Sequence, residues 1–267
     1  MSLLPDYTVT GDSDATVFLL HGLFGAKEYW RYHSARLVER GYRVVAWDAP
    51  GYGLSPLPKA MSIGALAAAA AKLIDTLGTR INIVHGHSMG GQLTPRIHSL
   101  IPDRIAALVI VATIGYFGNR TAEEQEAFIR DRAAAVSKPG AEGMRELVQS
   151  MFSTDASGPE VELVRSVALQ TRPETVRASL AAVRGYSDNE ALSAIHGIDV
   201  PTLFIAGAAD QTGTPEGMRR VSARVPGSEF AVIEGSGHYP WAEKPDDFSA
   251  ALFAFLRRYV PVGQSVR

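Results

Sequence analysis

The sequence predicts an α/β protein, with a mostly parallel, doubly wound sheet and an all-helical segment inserted after the strand expected at 105–112. Three observations carry this expectation. Short β-rich runs alternate with stretches of helical period, the runs are almost continuously apolar, and the alternation lapses for about eighty residues between Ile114 and Ile195. Each parallel neighbour needs a crossover helix, and a strand covered on both faces has no polar side to show.

In chain order, TVFLL (16–20) is the first expected buried strand, followed by a helix near 28–40. YRVVAW (42–47) is the next strand, and IGALAAAAAKLIDTL supports a helix over 62–77 whose small side chains permit close packing. INIVH (81–85) then leads into a helix at 89–101, and IAALVIVA (105–112) is the fourth strand of this set. Beyond it, TAEEQEAFIRDRAAAV and PEVELVRSVALQ have helical period with no convincing strand, punctuated by Pro139, Gly140, Gly158, Pro159 and Pro173. The strands resume with PTLFIA (201–206) and EFAVIE (229–234), each followed by a helix, near 214–224 and 245–259. The expected organisation is a core of residues 1–114 and 195–267 with a helical unit at 115–194.

Composition narrows the function classes. The chain has 267 residues, 46% hydrophobic and 20% charged, as in ordinary globular enzymes. A formal net charge of −2 with scattered Lys and Arg argues against nucleic acid or an anionic membrane as partner. Cysteine is absent, which excludes disulfides, thiolate metal sites and a cysteine nucleophile. MSLLPDYTVTGDSD lacks a basic segment followed by a long apolar one, and the apolar run at 63–71 is too short to span a bilayer. The expected location is therefore the cytoplasm.

The chemistry centres on Gly86-His87-Ser88-Met89-Gly90. G-x-S-x-G between a strand and a helix describes a nucleophile elbow, a turn so sharp that the serine backbone is strained and the flanking glycines admit close chain approach. A serine hydroxyl is a weak nucleophile without a base, and the base needs an acid to hold its tautomer. Asp210 and His238 each follow an expected strand, at the sheet edge where Ser88 sits, in the chain order acid then base. His21, His33, His85, His87, His98 and His196 read as structural or surface residues.

With those residues in view, the chain resembles the α/β-hydrolase family over nearly its whole length. HGLFG (21–25) resembles the family's oxyanion loop, and DAPGYGLS (48–55) its D-x-P-G-x-G-x-S segment. GHSMGG (86–91), GAAD (207–210) and SGHYPWAEKP (236–245) resemble the elbow, the acid turn and the histidine loop. The resemblance implies catalytic Ser88, Asp210 and His238, with backbone N–H groups of Leu23 and Met89 forming the oxyanion hole and Phe24 the alternative donor. It implies that the helical insertion is a cap over the active site and that Asp48, Gly51 and Gly53 are structural. The short N-terminus implies that the family's leading hairpin is reduced to one strand or missing. Serine at the elbow sets the chain apart from the dehalogenases and epoxide hydrolases of this fold, which use aspartate.

The expected activity is hydrolysis of a carboxylic ester or lactone of a small, largely apolar substrate through an acyl-enzyme. No metal or organic cofactor is expected, and the sequence leaves open a monomer or a homo-oligomer. Phe24, Tyr116, Phe117, Phe152, Tyr186 and Trp241 are the candidate pocket residues, with Phe128, Met144 and Met151 as further cap candidates. Apolar stripes at helical spacing also commonly form a unit's own core. Arg120, Arg145, Arg172 or Arg184 could meet a substrate carboxylate, but solvated surface charge is the expected reading for each. The alternatives are hydrolysis of carbon–carbon bonds in aromatic ring-cleavage products, cofactor-free haloperoxidase or perhydrolase activity, and a non-catalytic ligand receptor.

Overall fold

The structure is a computed structural model and describes residues 4–115, 120–138 and 142–262. Seven strands form one sheet in the order β1-β3-β2-β4-β5-β6-β7. They are β1 (Tyr7–Thr10), β2 (Ala15–Leu20), β3 (Arg43–Trp47), β4 (Ile81–His87), β5 (Ala107–Val111), β6 (Thr202–Gly207) and β7 (Glu229–Ile233). Every neighbouring pair is parallel except β1 with β3, where Tyr7 opposes Trp47 in an antiparallel register. Among the described residues β1 is the one strand before β2, and it forms an edge of the sheet.

The central strands β2, β5 and β6 are buried along their whole length, which explains their unbroken apolar sequence. Flanking helices follow the strands: α1 (Arg31–Glu39), α2 (Ile63–Leu77) and α3 (Met89–Leu100). Ser62 caps α2 by accepting the Ala65 N–H at 3.1 Å, and its Ala67 and Ala70 are fully buried. The alanine run is therefore a packed face, and α2 lies against α3.

Between β5 and β6 the described residues form α4 (Ala122–Ala135), α5 (Glu142–Ser150), α6 (Pro159–Leu169), α7 (Pro173–Arg184) and α8 (Asp188–His196), with no strand. Thr121 and Ser187 open α4 and α8 with reciprocal capping boxes to Glu124 and Glu190. Pro159 and Pro173 begin α6 and α7, as positions without a needed N–H. The chain closes with α9 (Pro215–Ser222), the short α10 (Pro240–Glu243) and α11 (Pro245–Tyr259). No described helix is long and apolar enough to cross a membrane.

Candidate active site

Ser88 stands between β4 and α3 with φ 54° and ψ −113°, the left-handed side of conformational space that a side chain seldom adopts. Two contacts hold it there. Its N–H donates to the Val111 carbonyl at 2.9 Å, fastening the turn to β5, and its carbonyl accepts the Gln92 N–H of the next helical turn. Gly86 is required because a Cβ on it would fall on the Gly90 carbonyl and the Thr94 hydroxyl. The tight turn thus follows from the glycine spacing. Met89 is the first residue of α3, where a backbone N–H has no carbonyl within the helix to receive it.

Asp210 and His238 meet 2.8 Å apart, Oδ2 to Nδ1, and both are almost fully buried. The other carboxylate oxygen of Asp210 accepts the Thr212 N–H at 2.7 Å, so the acid is oriented by its own loop. With Nδ1–H donating to the Asp210 carboxylate, His238 Nε2 is left as the acceptor nitrogen. Ser88 and His238 line one small cavity of about 20 Å3, together with Leu23, Phe24, Phe128 and Arg132. A second void of about 20 Å3 adjoins Ser88 on an apolar side formed by Ile114, Leu180 and Val183. A larger groove of about 830 Å3, between α1 and α6, contains none of Ser88, Asp210 or His238.

The HGLFG loop is fixed at Gly22. His21 Nε2 accepts the Ala49 N–H at 3.0 Å, so its Nδ1 carries the proton and donates to the Gly22 carbonyl at 2.8 Å. The Gly22 N–H donates to the Tyr29 hydroxyl at 3.0 Å, and that hydroxyl lies 3.2 Å from His87 Nδ1. His87 Nε2 in turn lies 2.9 Å from the His238 carbonyl. One chain of hydrogen bonds therefore joins the Gly22 loop, the elbow and the histidine loop. Burial, then the charge of His238, push His87 well below the usual histidine range, so it acts as a neutral link. Beside this loop Asp48, fully buried, accepts the Lys27 ammonium at 2.6 Å and the Lys27 N–H at 2.8 Å. Its partners are a loop lysine and backbone rather than His238.

Glu243 holds the histidine loop. Its carboxylate accepts the N–H groups of Gly237 and Tyr239 at 3.0 Å each, on either side of His238, and that of Ser153 at 2.7 Å. The His238 N–H donates to the Met151 carbonyl at 2.8 Å. A Cβ at Gly237 would sit 2.5 Å from that carbonyl, so the histidine loop and residues 151–153 press backbone to backbone.

Several pocket expectations need correction. Leu23 and Phe24 do line the Ser88 cavity, but Phe152, Tyr186 and Trp241 do not. Phe152 stacks on Tyr239 with ring centroids 4.7 Å apart and is covered by the Arg165 guanidinium. Trp241 is turned inward by α10 against Trp30 and His87, at 4.5 and 4.4 Å. Tyr186 packs beside Gln92 and Ile195, at the base of α8. Tyr116 and Phe117 lie outside the described residues. Arg145, Arg172 and Arg184 are exposed, as expected of surface charge, although Arg172 also reaches the Gly51 carbonyl and Arg184 pairs with Glu126; Arg120 departs from that reading, half-buried and donating to the Thr212 carbonyl. Arg132, Tyr29, His87 and Glu243 carry site geometry that the sequence did not single out. For Arg132 a signal existed, since it follows Phe128 by four residues on one face of α4.

A family model described as the alpha/beta hydrolase family matches residues 17–251. The chain is 27% identical over 257 residues to a 2-hydroxy-6-oxononadienedioate/2-hydroxy-6-oxononatrienedioate hydrolase of a Pseudomonas species, covering 93% of this chain and 90% of the relative. It is 25% identical over 253 residues to the dihydrolipoyllysine-residue acetyltransferase component of an acetoin cleaving system from Cupriavidus necator, covering 92% of this chain but only 64% of the relative's length. Among solved structures, a thermophilic esterase from Thermogutta terrifontis superposes with a TM-score of 0.83 at 26% identity, over 95% of this chain and 93% of that one.

Proposed function

Because the chain belongs to the alpha/beta hydrolase family, we propose that it is a serine hydrolase cleaving a small carboxylic ester or lactone through an acyl-enzyme. One observation carries the reading: a serine on a strained turn shares a cavity with a histidine whose Nδ1 is held 2.8 Å from a buried aspartate. His238 Nε2 accepts the Ser88 proton as Oγ attacks the carbonyl carbon, while Asp210 stays ionised and steadies the imidazolium. The oxyanion is held by the Met89 N–H and by that of Leu23 or Phe24, each donor contributing about 3 kcal/mol. Collapse breaks the ester bond, and the departing alkoxide takes the proton from His238. Water then attacks the acyl carbon with His238 as base, releasing the acid and restoring Ser88. For a lactone, the alcohol stays tethered to the acyl group throughout.

In this reading the helical segment is a cap. Phe128, Arg132, Leu180 and Val183 from α4 and α7 reach the two voids beside Ser88. A void of about 20 Å3 holds roughly one water molecule, so substrate binding displaces cap side chains. The oxo-dienedioate named for the Pseudomonas relative contains no ester, which favours as second reading the hydrolysis of a carbon–carbon bond beside a ketone by the same residues.

The test is turnover of p-nitrophenyl esters of graded chain length and simple lactones by the wild type and Ser88→Ala. A loss of at least about 10⁴-fold in the variant is expected. Wild-type turnover in Ser88→Ala overturns the proposal, and activity confined to vinylogous diketones selects the second reading.

A further inference from the structure

We infer that Arg132 selects substrates bearing a carboxylate, binding that group beside the reacting carbonyl; this deepens the hydrolase reading and rests on it. The Arg132 guanidinium lines the same cavity as Ser88 and His238 and is 8% exposed. Its hydrogen bonds go to neutral acceptors, the Thr212 hydroxyl at 3.0 Å and the Phe128 carbonyl at 3.4 Å. It stands 3.7 Å from the centre of the Phe128 ring. Among the described residues no carboxylate oxygen lies within 4 Å of it, whereas Arg165 and Arg184 of the same helical segment each pair with a glutamate.

A buried guanidinium with no carboxylate in contact is uncommon, because desolvation is normally compensated by a paired anion; here the charges of Asp210 and Asp131 act on it only from beyond 4 Å. Burial and the neighbouring Arg120 charge lower its pKa to about 10, so it remains a cation at neutral pH. Arginine has five N–H donors in a planar fork that fits a carboxylate with two parallel bonds, and the two hydrogen bonds above leave the fork incompletely used.

Its position relative to the chemistry is also set. Thr212 donates its N–H to Asp210 and receives Arg132 on its hydroxyl, so one loop orients both the acid and the guanidinium. The second void beside Ser88, which shares Phe128 and Thr212 with the first but is lined by Ile114, Leu180 and Val183 rather than Arg132, offers a largely apolar compartment. A half-ester of a dicarboxylic acid, or a lactone with a carboxylate side chain, matches this division: anion toward Arg132, hydrocarbon toward the apolar void. A plain alkyl ester leaves the cation unmatched.

The probes are mono-p-nitrophenyl adipate and p-nitrophenyl hexanoate, compared by kcat/KM in wild type, Arg132→Gln and Arg132→Lys. The wild type is expected to prefer the adipate, and the adipate-to-hexanoate ratio to fall about 10- to 100-fold in Arg132→Gln, the size of a lost charged hydrogen-bonding partner. Arg132→Lys should keep part of the preference, because the charge remains while the fork is lost. An unchanged ratio, or equal losses on both esters, overturns the inference. If Arg132→Gln does not fold, competitive inhibition of the wild type by adipate but not by adipamide decides, equal potency overturning it. If neither ester is hydrolysed it is the ester reading that fails, and calorimetry then decides on Arg132: adipate binding to the wild type that is lost in Arg132→Gln is expected, and equal binding by the two, or none by the wild type, overturns the inference.

Discussion

His87, the residue before Ser88, lies with Nε2 2.9 Å from the backbone carbonyl of His238. With its Nδ1 facing the Tyr29 hydroxyl at 3.2 Å, the ring reaches the Gly22 loop and the histidine loop at once. The expected result for His87→Phe, which keeps the volume and removes both bonds, is a fall in kcat of tenfold or more from loss of about 1–3 kcal/mol of positioning. KM should change less than kcat. Steady-state kinetics on a p-nitrophenyl ester checks this, and an unchanged kcat means the link is not used.

Glu243→Gln replaces a carboxylate that receives three N–H groups with an amide offering a single acceptor oxygen. We expect a loss of about 1.5–3 kcal/mol, since hydrogen bonds to a charged acceptor are the stronger kind. In a chain of this size that lowers Tm by several degrees. Calorimetry reads it, and kcat should fall with it because both neighbours of His238 are released.

Asp48→Asn leaves Lys27, whose side chain is 9% exposed, without its closest partner. Burial alone would lower the lysine pKa, but hydrogen bonds to Asp48, Asp6 and Glu28 outweigh burial and raise it. Breaking one side of such a pair costs about 3–5 kcal/mol, and the double variant Lys27→Met with Asp48→Asn should recover most of it. Urea unfolding of the two single variants and the double one gives the coupling. Additive losses would mean the pair is not a unit.

Stability should decline as pH falls from 6.5. Burial first of all lowers His21 and His33, the latter to about 3, and takes His85 and His87 well below the usual range. These rings stay neutral in the fold while the unfolded chain binds protons below about 6.5, so the stabilisation is present above that pH and is lost on the way down. Each contributes up to about 1.4 kcal/mol per pH unit in that window. Urea midpoints from pH 7.5 to 5 measure the slope, and His33→Phe should make it shallower.

The sheet was legible because its strands are buried on both faces, and burial on both faces writes itself as uninterrupted apolar sequence. That Ser88, Asp210 and His238 lie close together was legible because each follows a strand at the same edge of a parallel sheet. The pocket was not. Phe152 and Trp241 are apolar residues near the right places, but neighbouring aromatic rings turn them away from Ser88. The spacing of Arg132 from Phe128 puts the two on one face of α4, but nothing in the sequence says which face, and the docking of α4 is what brings that face to the cavity. Glu243 likewise has a role only through the three backbone groups that fold around it.

The contact between Gly237 and residues 151–153 makes the histidine loop and one edge of the helical segment mechanically one piece. The His238 N–H is tied directly to the Met151 carbonyl where Gly237 lets the two backbones meet, and the Ser153 N–H is tied to the Glu243 carboxylate. A hinge that lifted this edge would therefore break those bonds or drag the histidine off its aspartate. The α4 and α7 side is joined to the sheet layer by side-chain bonds instead, Thr175 to the Gly51 carbonyl, Ser179 to Tyr52 and Arg132 to Thr212, so on the proposed reading the room a substrate needs comes from rearranging side chains there. On that reading reactivity is anchored at a margin joined to the base backbone to backbone, while access depends on a margin joined to it by side chains.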